Sequence, residues 1–333
     1  MERIEPEQNL DDRLKSIWEK IDLGWSRLNI SSEYSELLHL ALKNDRYGDT
    51  APTRHTGRWG LLPGLCCQAA GGEASQADII AAAWMVFYAA ADIMDSIQDQ
   101  DEPADWWKDA GPAAALSAAT GLFFYASSLL NQVYTQEVPH TKATQLVEDF
   151  YLGFLKMSSG QYGDLTYPHA TLEQFWEIAS EKSGAFFGLA CRAGASLASE
   201  NRQTIEFYAQ FGKHLGLLIQ ILDDLEELKT LTSSLSADQV DKIRRSLPVV
   251  YALEVYPTSS KAQFESLLQN AVHDSGAALQ AFQMIEKSGA VIYLLTEIER
   301  HRELALNSLI IARARQPALD ILTSFVNQLG ISE

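Results

Sequence analysis

Gly216-Leu217-Leu218-Ile219-Gln220-Ile221-Leu222-Asp223-Asp224-Leu225-Glu226-Glu227 closes an apolar helical pattern with a cluster of acids. Leu215, Leu218, Ile219, Leu222 and Leu225 recur at intervals of three and four, the spacing of a buried helical stripe. Asp223, Asp224 and Glu227 stand at its end, where an unpaired buried charge would be expensive. Such acids must meet cations, open into a wet cavity, or both. A second stretch, Asp92-Ile93-Met94-Asp95-Ser96-Ile97-Gln98-Asp99, ends another apolar run from Ile79 to Ala91. Its Asp92, Asp95 and Asp99 are spaced by three and four and share one helix face. Two helices of this kind suit a bundle that holds divalent metal over an apolar pocket. Hard oxygen donors point to magnesium, which is usually bound by one or two carboxylates together with substrate phosphates. A solvated helix face is the plain alternative for either row alone. Two rows, each behind a long uncharged run, argue against it.

The chain has 333 residues, and no Pro/Gly/Ser-rich linker divides it. Residues 1–333 are therefore expected to form a single all-α domain, a large helical bundle. With 47% hydrophobic residues there is ample material for a core. The formal net charge of −18 argues against nucleic acid or acidic membrane as a partner. It also means that a diphosphate reaches rows of aspartates only in company with metal ions, because like charges repel strongly at low dielectric. Cys66, Cys67 and Cys191 show neither a metal-ligand spacing nor an even framework, so a reducing cytoplasm is expected. Residues 1–10 lack the apolar centre of a signal peptide. Ala110 to Gln136 carries no charge and is long enough to cross a bilayer, but polar residues and alanines thin it; a central helix buried on all sides is expected, with no membrane span.

Helices are expected over Leu10–Leu28, Tyr34–Leu42, Gln76–Asp99, Ala113–Tyr134, Thr141–Asp164 and Thr171–Ala198. Another begins after Asn201 and ends in the second acid row. Thr171 with Gln174 and Ser236 with Gln239 read as capping boxes, and Pro248 as a restart. Asp45–Gly57 and Asp101–Pro112 read as loops. No strand alternation and no internal repeat is evident.

On these residues the chain resembles the trans-prenyl diphosphate synthases, the polyprenyl synthetase family with the class I isoprenoid synthase fold. Gly216, Gln220 and Asp223-Asp224-Leu225-Glu226-Glu227 resemble that family's second aspartate-rich motif. Asp95-Ser96-Ile97-Gln98-Asp99 is similar to its first, with Ser96 in place of the second aspartate. Gly160-Gln161 with Asp164 resembles Gly-Gln-x-x-Asp, and Lys182-Ser183-Gly184 resembles Lys-Thr-Gly. Arg244-Arg245-Ser246-Leu247-Pro248 resembles Lys-x-Thr-Leu-Pro. Five matches in the family's order make a specific signal.

The resemblance implies a central apolar pocket and magnesium-dependent ionisation of an allylic isoprenyl diphosphate. Asp95, Asp99, Asp223, Asp224 and Lys182 would carry the catalysis. The metal ligands would be Asp95, Asp99, Asp223, Asp224 and Glu227, with Asp92 as a further candidate. Gln220, Arg244, Gln161 and Arg58 would contact substrate, and the chain would form a homodimer.

The sequence departs from the family where a metal-free site for isopentenyl diphosphate needs bases. Tyr88 stands at the expected histidine, Ala104-Asp105-Trp106 at the expected Arg-Arg-Gly, and only Arg58 at the expected lysine–arginine pair near Thr56–Pro63. Arg46, Arg54 and His55 in the preceding loop are the available substitutes. The favoured reading is thus an enzyme that ionises a finished allylic diphosphate and cyclises or otherwise quenches the cation, in the manner of a terpene synthase. Prenyl transfer to isopentenyl diphosphate or another acceptor is the first alternative, and a non-catalytic subunit of a heteromeric synthase the second.

Counting back from Asp95 along one face gives Ala91, then Phe87 and Tyr88, then Trp84. Ala91 leaves the first turn open and Phe87 or Trp84 forms a floor. The depth from Asp95 to Trp84 is about 16 Å, which suits a farnesyl or geranylgeranyl chain. Ordinary core packing is the alternative role for both rings.

Overall fold

A computed structural model describes residues 6–25, 27–42, 56–101, 103–167, 170–232, 235–272 and 274–330. Among them every regular element is helical: α1 (Pro6–Trp25), α2 (Ser32–Leu42), α3 (Thr56–Trp59), α4 (Leu62–Ala70), α5 (Asp78–Gln98), α6 (Asp105–Lys108), α7 (Pro112–Leu130), α8 (His140–Thr166), α9 (Leu172–Ala179), α10 (Ala185–Ala198), α11 (Arg202–Leu228), α12 (Ala237–Arg245), α13 (Leu247–Val255), α14 (Thr258–Asn270), α15 (Ser275–Ser288), α16 (Ala290–Ile311) and α17 (Ala318–Gln328). This is the all-α class that the sequence predicts. The loop expected over Asp45–Gly57, with Arg46, Arg54 and His55, lies outside the described residues except at its end, where α3 begins.

The helix boundaries follow local chemistry. The Thr171 hydroxyl accepts from the Gln174 backbone N–H at 3.2 Å while the Gln174 side chain accepts from Thr171 N–H at 2.9 Å. Ser236 and Gln239 form the same reciprocal pair, so both capping boxes are present. Asn201 accepts from Gln203 and Thr204 N–H to open α11. Gly71 ends α4 with φ +108, a left-handed conformation that favours glycine. The expected loop 101–112 contains a short helix, α6, that buries Trp107; a single turn is below the reach of periodicity arguments.

By compactness the chain forms two units: residues 1–152, 189–210 and 308–325 make the first, and residues 153–188, 211–307 and 326–333 the second. Neither is a contiguous stretch. In the first unit α5 packs on α7, and both helices carry fully buried small residues, Ala82, Ala89 and Ala90 on one and Ala115, Ala119 and Ala126 on the other. Alanine at these positions lets two backbones approach closely. Arg13 and Ser16 of α1 both bind Asp78, the first residue of α5, where a carboxylate also complements the helix dipole.

The expectation that the uncharged helix is buried on all sides is corrected. In α7 the stripe facing α5 is buried, but Phe124 is 74% exposed and Leu116 47%. Length and apolar composition would allow Ala74–Gln98 and Pro112–Thr135 to cross a membrane; 78% of the first window and 44% of the second lie buried inside the protein.

The core of the second unit is a cluster from the short C-terminal helices, with Leu228, Ile243, Val249, Phe264, Leu268 and Ile285 among its buried members. Cys66, Cys67 and Cys191 are buried free thiols of the first unit. Burial pushes the Cys66 thiol up.

Candidate active site

The first acid row ends α5. Asp92, Asp95 and Asp99 are all half-buried, whereas Ser96 is 6% exposed. The one position where the first motif lacks an acid is thus turned into the protein. Below the row, Ala91 is half-buried and Trp84 and Phe87 are 1% and 2% exposed. Phe87 packs against Phe123 of α7 and Phe150 of α8, with ring centroids 5.9 and 6.2 Å away. Tyr88, half-buried, tilts against Trp84 at 5.6 Å. Arg58 lies in the single turn of α3 and is half-buried.

The remaining motifs lie in the second unit, and there they touch one another. α9 and α10 are joined by a π-helical turn, Ser180–Gly184, which carries Lys182 and Ser183. Such turns are rare and often mark functional positions. Lys182 Nζ lies 3.1 Å from Asp164 Oδ2, and Arg245 reaches the same carboxylate at 3.5 Å. Ser183 Oγ donates to Gln220 Oε1 at 2.8 Å, and Gln220 Nε2 donates to Asp224 Oδ1 at 3.0 Å. The chain of contacts ends where Leu247 N–H donates to Asp224 Oδ2 at 2.7 Å. Two glycines make the approach possible. A Cβ on Gly160 would fall 2.7 Å from Lys182 N, and one on Gly216 2.9 Å from the Ser183 carbonyl carbon and nearer still to its oxygen.

Four segments picked out by resemblance therefore form one polar network. Gln161 follows Gly160 on α8 and is half-buried, as is Arg244. The motifs point to Lys182, Gln220 and Arg244 and assign no role to Ser183 or Arg245, although both lie within them. A second basic residue beside Arg244 was the available signal.

The second acid row is split by its environment. Asp223 is exposed, Glu227 is half-buried and paired with Lys242 at 3.1 Å, and Asp224 is 4% exposed. Burial, reinforced by the charges of Glu227 and Asp223, pushes the Asp224 carboxyl up to about 8 against the two hydrogen bonds that favour its ionised form. Among the described residues no group of three or more His, Cys, Asp or Glu side chains could hold a metal by itself. The donor set still fits magnesium, which takes one or two carboxylates and completes its shell with substrate phosphate and water. Asp95 with Asp99, and Asp223 with Glu227, are the i,i+4 pairs that are not fully buried.

The same unit also holds a part-buried aromatic and histidine cluster. Trp176 Nε1 donates to the Tyr293 hydroxyl at 3.0 Å and stacks beside His301, whose Nδ1 is 3.0 Å from Nδ1 of His214. Burial, with Lys213 and Arg300 nearby, lowers His214 to about 4 and His301 to about 3.

This helical architecture is shared with solved isoprenoid synthases. The geranylgeranyl pyrophosphate synthetase of Pyrococcus horikoshii superimposes with a TM-score of 0.79 at 21% identity, over 99% of this chain and 100% of that one. Residues 60–285 match the family model described as Polyprenyl synthetase, and the chain belongs to the polyprenyl synthetase family. A prenyl transferase of Synechocystis is 26% identical over 210 residues, covering 62% of this chain and 60% of that protein. The chloroplastic solanesyl diphosphate synthase 2 of Arabidopsis thaliana is 24% identical over 203 residues, covering 60% and 46%. The matches thus span less than two thirds of the length of these two relatives.

Proposed function

We propose that the chain is a prenyltransferase that ionises an allylic isoprenyl diphosphate of farnesyl or geranylgeranyl size and passes the prenyl group to an acceptor. Family membership favours this over the cyclisation that the sequence reading put first. The observation that carries it is the network in the second unit, where Asp164, Lys182, Ser183, Gln220, Asp224 and the Arg245–Leu247 segment are tied together. Lys182, Arg245 and Asp164 together carry one net positive charge, suited to an anionic leaving group. Magnesium, when bound, would neutralise the diphosphate and the charge that develops on it. Asp95 with Asp99 and Asp223 with Glu227 would supply its carboxylates, Gln220 would line the site, and Arg58, Gln161 and Arg244 would add contacts to substrate. The apolar side chains below Ala91 would keep water from the cation, and Phe87 and Trp84 would limit chain length.

We read residues 1–333 as one domain, since helices such as α8 and α11 contribute to both compact units, and we place the enzyme in the cytoplasm. A second copy of the chain is proposed to cover the exposed apolar face of α7, where Leu28, Ile30, Tyr34, Leu116 and Phe124 line a groove of about 650 Å³. Two observations favour the cyclising alternative: Tyr88 packs on Trp84 where a base is needed, and Asp105 is exposed where two arginines are expected.

The test is incubation of the purified protein and magnesium with geranyl, farnesyl and geranylgeranyl diphosphates, with and without isopentenyl diphosphate. Longer diphosphates support the proposal. Hydrocarbon or alcohol products formed equally without isopentenyl diphosphate would replace it with cyclisation, and no turnover of any substrate would point to the partner subunit.

A further inference from the structure

We infer that Asp224 is a positioning residue that pins the start of α13 to α11, and that the metal-facing acids of the second row are only Asp223 and Glu227. The inference rests on the functional reading above and refines which carboxylates act in it. A metal ligand must present an oxygen lone pair to the ion, with room for the water and phosphate that complete the shell. Asp224 is 4% exposed, and each of its carboxylate oxygens already accepts a hydrogen bond, one from Gln220 Nε2 and one from Leu247 N–H.

The second of these bonds has its own rationale. Leu247 is the first residue of α13, and its N–H is one of the donors that a helix start leaves without an intrahelical acceptor. The residue before it, Ser246, makes no side-chain cap; its hydroxyl donates instead to the Ile243 carbonyl. Asp224 therefore does for α13 what a capping side chain normally does, but from another helix. That ties α11 to the short joint between α12 and α13. Arg245 lies in that joint, two residues from the pinned amide, and it meets Asp164 beside Lys182.

The first row supports the same assignment independently. Position for position, Ser96 corresponds to Asp224, and it too is buried, at 6% exposure. The i,i+4 pair Asp95 and Asp99 then corresponds to Asp223 and Glu227. The second position of each row faces inward, so the serine there removes no ligand.

Two measurements test this. The first uses the unaltered protein: hydrogen exchange of the Leu247 amide is followed with and without magnesium and inorganic pyrophosphate. If Asp224 stays on Leu247, the amide remains as protected when both are added; if Asp224 turns to the metal, the amide loses its acceptor and exchange rises by about tenfold or more. The second compares Asp223→Asn, Asp224→Asn, Arg245→Met and the Asp224→Asn/Arg245→Met double variant. Asn at 224 keeps the shape but turns one acceptor into a donor. The expectation is that Asp223→Asn raises the magnesium concentration for half-maximal turnover by about tenfold or more, while Asp224→Asn lowers kcat with that concentration held within about twofold. The kcat losses of Asp224→Asn and Arg245→Met are expected to fall short of multiplying in the double variant, because both act through one joint. Magnesium dependence that shifts in Asp224→Asn as it does in Asp223→Asn, or amide exchange that accelerates on adding magnesium pyrophosphate, overturns the inference. If the unaltered enzyme turns over no allylic diphosphate, the functional reading fails separately. Loss of Leu247 protection in Asp224→Ala, which leaves no acceptor at that position, would then still establish the pin, and retained protection there would refute it.

Discussion

Gly216→Ala tests the physical basis of the network with one added methyl group. The new carbon would lie 2.9 Å from the Ser183 carbonyl carbon. Carbon atoms prefer about 3.5–4.0 Å, so α11 and the π turn must separate by about 0.6–1.1 Å. The Ser183–Gln220 hydrogen bond, now 2.8 Å, would stretch to about 3.4–3.9 Å, outside the useful range for a hydroxyl donor. Overpacking of this size costs about 1–3 kcal/mol and the lost hydrogen bond about 1 kcal/mol. Alanine is favoured over glycine inside a helix by up to about 1 kcal/mol, which leaves a net loss of about 1–3 kcal/mol. Turnover should fall further than stability suggests, by about a hundredfold, since a displacement near 1 Å at a reacting site is costly. Urea unfolding and steady-state turnover measure the two effects. Gly330→Ala, where a Cβ meets nothing within 4 Å, is the control and should change neither. A Gly216→Ala protein that is as stable as the parent, or more so, with unchanged turnover would refute the close-approach argument.

Removal of magnesium with EDTA, or Asp223→Ala, should cut turnover by about a thousandfold or more, and full activity in EDTA would dismiss the metal. Phe87→Ala should cost about 3–5 kcal/mol in urea unfolding, because the ring is buried against Phe123 and Phe150. If the ring is also the pocket floor, product analysis of the folded fraction will show longer chains. The His214–His301 pair gives a pH dependence. Both imidazoles titrate below their ordinary value of 6.5 in the folded protein, so the stability they contribute is present above that value and is lost as pH falls towards about 4. The decline in melting temperature from pH 7 to pH 5 should be shallower in His301→Gln; an identical slope would mean the pair is not the titrating element. Phe124→Asp should turn a dimer into a monomer by sedimentation, since the ring is 74% exposed on an apolar face; a parent protein that sediments as a monomer at working concentration rejects that surface.

The elements of this fold are legible because each long helix repeats its apolar stripe for several turns and ends on recognisable chemistry. Thr171 with Gln174, Ser236 with Gln239, and Asn201 all mark starts by side chains within three residues. What the sequence could not reveal depends on direction rather than identity. Asp223 and Asp224 are adjacent letters, yet a rotation of about 100° puts one in solvent and the other at a buried helix start. Arg244 and Arg245 are adjacent in the same way on α12, and it is Arg245 that meets Asp164. The apolar length of α7 read as burial on every side, because composition cannot distinguish a face that meets α5 from one awaiting other cover.

The π-helical turn Ser180–Gly184 amounts to one surplus residue lodged in an otherwise continuous helix from Leu172 to Ala198. An α-helix turns about 100° per residue, and the wider π turn absorbs one residue's share of that rotation, so deleting one position between 180 and 184 would restore regular winding with both flanks facing as they do now. Trp176, before the turn, would keep Tyr293. Ser183 lies within the turn and binds Gln220, so the position lost on deletion is that of the segment carrying Lys182 and Ser183. A chain of this fold aligned with a one-residue gap here would keep the flanking helices and lose the widened turn that presents those two side chains.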